Sequence, residues 1–163
     1  MSRSTPGIVS TGAAALTAAS YGRAQGANER LRMGTLGCGG MANSRVDQLI
    51  QCPDVEIVAV CDVDPGPMNH TAEKIRKATG RRPQTFGDFR KVLELKEVDA
   101  VNIGTPDHWH AIPFILACQA GKDVYSEKPI GHNVVEGRAM VNAARANKRV
   151  VQIGTQCRSS PHL

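Results

Sequence analysis

From Leu31 to Gly154 the chain alternates short apolar runs of strand length with longer stretches whose apolar positions recur at helical spacing. Leu31–Leu36 reads as a first strand, ended by a glycine cluster. Met41, Ala42, Val46, Leu49 and Ile50 then fall on one helical face. Val55–Cys61 is nearly continuous in apolar and β-branched residues, as a strand buried on both faces should be. Asp62–Pro67 reads as a turn, followed by a helix from about Met68 to Thr79 with Gly80 as its C′ residue. Thr85-Phe86 is a strand stub, and Asp88 caps a short helix to Leu95.

The second half continues the alternation. Ala100–Ile103 is a strand ending at Gly104-Thr105-Pro106, and a helix starts between Asp107 and Ile112 and runs to Ala120. Pro113 fits only a first turn, which favours the later start. Asp123–Ser126 is the next strand, Asn133 with Glu136 reads as a capping box for a helix to about Asn147, and Arg149–Gly154 is a last strand. Strands separated by crossover helices predict an α/β fold with a doubly wound parallel sheet of the Rossmann type. Ligands of such sheets sit beyond the strands' carboxyl ends, so the candidate chemistry is the residues that follow each strand.

Gly37-x-Gly39-x-x-Ala42 follows the first strand and has the dinucleotide-binding form G-x-G-x-x-G/A. The first glycine serves the turn, the second leaves room for a pyrophosphate, and the small third residue lets the helix pack closely. The helix's free N–H groups and dipole would face the anion. Asp62 ends the second strand 23 residues after Gly39, near the roughly 20 expected of the acid that grips a ribose; Asp64 is the alternative. No Arg or Lys follows until Lys74, which favours NAD over NADP. Thr105-Pro106-Asp107-His108-Trp109-His110 follows the fourth strand and reads as a pocket wall, or as a structural cap with a packed Trp. Its two histidines lack a third metal ligand. Lys128, after the fifth strand, could hydrogen-bond a substrate hydroxyl or stabilise a developing alkoxide, with Glu127 orienting it; a solvated ion pair is the alternative.

Composition changes this picture little. The 163 residues are 41% hydrophobic and 21% charged, enough for one ordinary core. The net charge of +5 is spread out, and its densest cluster (Lys74, Arg76, Lys77, Arg81, Arg82) has no aromatic residues between, which points to a solvated helix face rather than a nucleic-acid surface. Five cysteines, an odd number with no C-x-x-C, argue against zinc and disulfide frameworks. No segment is apolar enough over sufficient length to span a membrane. Residues 1–30, rich in Ala, Ser, Thr and Gly, read either as an export signal without a twin-arginine pair or as a disordered tail, leaving exported and cytoplasmic locations open.

Glu127-Lys128-Pro129, the glycine turn Gly37–Ala42 and the Thr105–His110 turn together resemble the Gfo/Idh/MocA oxidoreductase family from about Arg30 to Arg158. The segment Ala120–Pro129 is especially similar to the family's pattern. The resemblance implies that Gly37, Gly39, Gly40, Met41, Ala42 and Asp62 hold NAD(P), and that Thr105, Pro106 and His110, matching T-P-x-x-x-H, line the pocket with Glu127. It places Lys128 beside nicotinamide and substrate as the catalytic residue, with no metal. It implies a sugar, polyol or related hydroxyl substrate, and a second α/β domain with further substrate contacts and a catalytic Asp/His pair. On that reading residues 31–156 are the nucleotide domain, residues 157–163 begin the crossing, and the chain alone is inactive. The full-length form could be a homo-oligomer. A non-catalytic NAD-binding module and an NAD-dependent glycoside hydrolase are the alternatives.

Overall fold

The computed structural model describes residues 30–159; the expectation of an export signal or tail falls almost wholly on residues outside this range. The elements are β1 (Leu31–Leu36), α1 (Gly40–Ile50), β2 (Val55–Cys61), α2 (Pro65–Thr79), β3 (Gln84–Phe86), α3 (Phe89–Glu94), β4 (Ala100–Ile103), α4 (Ala111–Gln119), β5 (Asp123–Glu127), α5 (Val134–Ala146) and β6 (Val151–Gly154). Short 3₁₀ turns lie at Asp107–Trp109 and Gln156–Ser159. The six strands form one all-parallel sheet in the order β3-β2-β1-β4-β5-β6. The order reverses between β1 and β4, which makes their carboxyl ends the switch point of the sheet.

Two apolar clusters cover the sheet. Val46, Ile57, Val60, Ala72 and Ile75 join α1 and α2 to one face. Val92, Val101, Ile103, Phe114, Ala117, Val124 and Met140 join α3, α4 and α5 to the other. At the amino edge of the sheet, Asp99 accepts hydrogen bonds from Arg32 N, Nε and Nη2 at 2.9–3.1 Å, tying the start of β4 to β1.

Side-chain caps explain most helix starts. Asp64, Asp88 and Asn133 accept from Gly66, Arg90 and Glu136 N–H at 2.8–2.9 Å. The cap at Asp64 corrects the expected start of α2, which begins at Pro65 rather than Met68. Proline lacks only an N–H that the first turn leaves unpaired anyway, so Pro65 and Pro67 begin the helix instead of delaying it. Asp64, the alternative ribose acid, is that N-cap, its Oδ1 accepting from Gly66 N–H. The 3₁₀ turn at Asp107–Trp109 accounts for the late start of α4. Four of the five residues of the basic cluster lie in surface ion pairs: Lys74 with Asp47, Arg76 and Arg82 with Glu73, and Arg81 with Glu56. Among the described residues no helix is long and apolar enough to cross a membrane.

Candidate functional site at the carboxyl edge of the sheet

The glycine turn is built by close approach at one point and open space at the next. Gly37 has φ +87°, a conformation costly for any residue with a Cβ. A Cβ there would also lie 2.8 Å from Gly104 O. Gly39 and Gly40, by contrast, face open space, with nothing within 4 Å of an added Cβ. Ala42 is fully buried, and a Cβ on Gly104 would come 2.6 Å from its own. The small third position therefore lets α1 close on the turn after β4. Gly39 is the N-cap of α1 and supplies no side-chain cap, so the N–H groups of Gly40, Met41 and Ala42 stay free for an anion.

Asp62 braces this turn. Its Oδ2 accepts from Cys38 N at 2.7 Å and its Oδ1 from Asp64 N at 2.9 Å. A carboxylate has about four acceptor sites, so two bonds leave capacity for ribose hydroxyls. The Cys38 thiol is buried beneath the turn and pushed up to about 11 by that burial. Asn43 completes the brace, donating to Cys38 O at 2.7 Å and accepting from Thr71 Oγ1 at 3.0 Å. Nothing in linear spacing singled out Asn43.

Asp62 opens into a cleft of about 520 Å³ lined also by Gly37, Val63, Gly87–Arg90, Thr105, Pro106, His108, Trp109 and Pro113. The cleft thus joins the turns after β1, β2, β3 and β4. The sequence places no Arg or Lys between Asp62 and Lys74, yet the fold brings Arg90 to the same cleft from the turn after β3. Trp109 stands in the turn read as a pocket wall, whereas nothing in the sequence placed Asp88 and Phe89 beside Asp62.

The turns after β4 and β5 are joined by His110. The ring is 2% exposed, with Nδ1 2.6 Å from Pro129 O and Nε2 2.9 Å from Thr105 O. Thr105 Oγ1 donates to Trp109 O at 3.1 Å. His108 is exposed beside Asp107, so the two histidines face different surroundings. Lys128 is exposed, is followed by a cis bond to Pro129, and makes no ion pair among the described residues. The expected orienting contact from Glu127 is corrected: β5 runs one residue further than predicted, so Glu127 belongs to the strand and is 3% exposed. Its Oε1 accepts from Arg45 Nε at 2.7 Å, and Arg45 also lies over the Tyr125 ring at 5.5 Å. Arg45 projects from α1 without any sequence signal linking it to Glu127.

An open glycine turn with free N–H groups, an acid on the adjoining strand and a cleft across the switch point together fit a dinucleotide. The model of the Gfo/Idh/MocA oxidoreductase family with an NAD-binding Rossmann fold matches residues 31–155. The chain is 31% identical over 140 residues to the inositol 2-dehydrogenase of Rubrobacter xylanophilus, covering 84% of this chain and 38% of that protein. It is 31% identical over 127 residues to a glycosyl hydrolase family 109 protein of Saccharopolyspora erythraea, covering 76% and 28%. Among solved structures, the WlbA dehydrogenase of Chromobacterium violaceum in complex with NADH and UDP-GlcNAcA superposes with a TM-score of 0.73 at 28% identity, covering 80% of this chain and 36% of that one. The chain therefore spans between 28% and 38% of the length of these three relatives.

Proposed function

The chain belongs to the Gfo/Idh/MocA oxidoreductase family as its NAD-binding Rossmann domain, and from that premise we propose that it is the cofactor half of an enzyme oxidising a sugar, polyol or related hydroxyl compound. The observation that carries this reading is the convergence of the turns after β1, β2 and β4 on one cleft, with the turn after β5 latched to that wall through His110. Substrate class is supported by the inositol 2-dehydrogenase relative and by the sugar-nucleotide complex of the WlbA dehydrogenase.

In this reading the N–H groups of Gly40, Met41 and Ala42 bind the pyrophosphate, Gly37 and Gly39 keep the backbone bare for it, and Asp62 accepts from the ribose hydroxyls. Asp62 would repel a 2′-phosphate, which favours NAD over NADP. Thr105, Pro106 and His110 form and hold the opposite wall, and Glu127 anchors β5 through Arg45. NAD, when bound, supplies the hydride acceptor. Lys128 hydrogen-bonds the reacting hydroxyl and moves its proton. A second domain in the full-length protein completes the substrate site and excludes water. We expect the 163-residue chain to bind NADH, with a change in Trp109 fluorescence, and to turn over nothing. The decisive measurement is turnover by the full-length protein on a sugar and polyol panel with NAD. Lys128→Ala should lower kcat at least about a hundredfold; wild-type turnover in that variant would remove Lys128 from the mechanism.

The glycosyl hydrolase family 109 relative supports a second reading, in which transient oxidation by the same cofactor assists glycoside cleavage. Release of free sugar with no net NADH distinguishes it from simple dehydrogenation.

A further inference from the structure

One peptide of the glycine turn has two orientations open to it, and its neighbours choose between them. Gly39 carries no Cβ, so the Cys38–Gly39 peptide can rotate as a unit at little steric cost. The peptide is trans, so the Cys38 carbonyl and the Gly39 N–H point in opposite directions. One orientation aims an N–H at an anion beyond the turn; the other aims a carbonyl oxygen at it. The helix does not decide the matter, because its first bond runs from Asn43 N to Gly39 O at 2.8 Å and leaves Cys38 O out.

The Asn43 side chain takes up that carbonyl. Its Nδ2 donates to Cys38 O at 2.7 Å, which holds the oxygen toward the body of α1 and turns the Gly39 N–H away from it. That N–H has no partner among the described residues. A carbonyl only accepts, so Cys38 O requires the amide nitrogen and leaves Asn43 Oδ1 facing α2. There Thr71, fully buried, donates its hydroxyl to Oδ1 at 3.0 Å. Both ends of the amide are thus engaged, and its plane is fixed. The preceding peptide is held as well, by Asp62 Oδ2 accepting from Cys38 N at 2.7 Å. Cys38 is pinned on its N–H side from the end of β2 and on its carbonyl side from α2 through α1.

We propose that Asn43 and Thr71 are positioning residues for the cofactor's pyrophosphate: Thr71 holds the Asn43 amide, and that amide holds the Cys38–Gly39 peptide with its N–H toward the phosphate oxygens. The inference rests on the NAD-binding reading above and adds the Gly39 N–H to those of Gly40, Met41 and Ala42. Both residues act through one peptide plane. Without the relay the peptide is free to turn its carbonyl oxygen toward the anion, which replaces a donor by a repelling acceptor.

The test is a double-variant cycle on the 163-residue chain, with NADH affinity read by Trp109 fluorescence and calorimetry and the fold by circular dichroism and Tm. Asn43→Ala introduces a good helix former, so α1 should remain, and should weaken NADH at least about fivefold. Thr71→Val keeps the buried shape without the hydroxyl and should weaken NADH about three- to tenfold with little change in Tm. Thr71→Ser keeps the hydroxyl without the methyl, so it should lower Tm yet bind NADH within about twofold of the unsubstituted chain. Because Thr71 acts only through Asn43, the double variant Asn43→Ala/Thr71→Val should bind no more than about twofold more weakly than Asn43→Ala alone. ADP-ribose, which carries the pyrophosphate, should lose affinity in step with NADH, whereas adenosine should keep its own. Unchanged NADH affinity in either Asn43→Ala or Thr71→Val overturns the relay while leaving NAD binding intact. Additive losses in the double variant, or Thr71→Ser binding as weakly as Thr71→Val, overturn the path from the hydroxyl through the amide. A parallel loss of adenosine overturns the pyrophosphate assignment, since a loosened domain would lose both. No binding of NADH to the unsubstituted chain overturns this inference and the NAD-binding reading together.

Discussion

Arg45 on α1 and Glu127 at the end of β5 form an ion pair of 2.7 Å, with side chains only 11% and 5% exposed. The pair links the helix that begins at the glycine turn to the strand that ends at Lys128. Its energetics are asymmetric, because both charges are already out of water and Glu127 Oε2 has no partner among the described residues. Arg45→Met should therefore destabilise the chain by about 3–5 kcal/mol, the usual cost of stranding a buried charge. Adding Glu127→Gln should recover a large part of that loss. Chemical denaturation of the two single variants and the double variant measures the coupling; equal and additive losses would show that the pair is not acting as one unit.

Cysteine reactivity follows burial. Cys38, Cys61 and Cys118 are buried, and Cys52 and Cys157 are exposed. Burial pushes Cys38 up to about 11 and Cys61 up to about 12, and raises Cys118 as well. At pH 8 a thiol reagent should titrate two groups promptly in the native chain and the remaining three only in denaturant. Prompt reaction of Cys38 would show that the glycine turn opens in solution.

The elements were legible where residue chemistry is locally decisive. β1, β2 and β4 have the bounds their apolar runs predict, because each ends at a Gly or Asp turn. The Asn133–Glu136 cap is also visible locally, though Glu136 reaches His132 N and the Asn133 side chain rather than the N-cap backbone. Pro65-Gly66-Pro67 misled, since the same residues that break a helix interior also suit its first turn. At the site, the glycine turn and Asp62 were readable because their roles depend on spacing along one βαβ unit. Glu127 and Arg90 were not. Arg45 and Glu127 lie 82 positions apart, and Arg90 reaches the Asp62 cleft only because β3 pairs beside β2. Partners of that kind are set by the order of strands, which local pattern does not encode.

Asp99 gives the fold a defined acid sensitivity. Hydrogen bonds from Arg32 hold its carboxyl below the usual aspartate range. A carboxyl whose value is lower in the folded than in the unfolded chain stabilises the fold above its unfolded value, near 4. That contribution is lost as pH falls through the folded value. Asp99→Asn should lower Tm at pH 7 and leave a smaller drop in Tm below pH 4 than the unsubstituted chain shows. The side chains are 42% and 38% exposed, so solvent screening keeps the effect modest. Parallel Tm-against-pH curves for the two proteins would contradict the assignment.

Gly39 and Gly104 separate binding from folding in a way that a single substitution could not. An added Cβ at Gly39 meets nothing within 4 Å, and its backbone, at φ −70°, accommodates alanine. Gly39→Ala should therefore cost under about 1 kcal/mol of stability, chiefly as a poorer N-cap. It would place a methyl group where the pyrophosphate approaches the backbone, so NADH affinity should fall at least about tenfold. At Gly104 the same atom comes 2.6 Å from Ala42 Cβ and 3.0 Å from Ala42 Cα, with a helix backbone behind it that cannot swing aside. Gly104→Ala should cost about 1–3 kcal/mol by forcing α1 away from the β4 turn. Affinity should fall with it, because the same displacement moves the N–H groups of Gly40, Met41 and Ala42. Ala42→Gly, paired with Gly104→Ala, removes the clashing Cβ and should restore part of both losses. If Gly39→Ala bound NADH as tightly as the unsubstituted chain, the turn would not be the phosphate site, whatever the behaviour of Gly104.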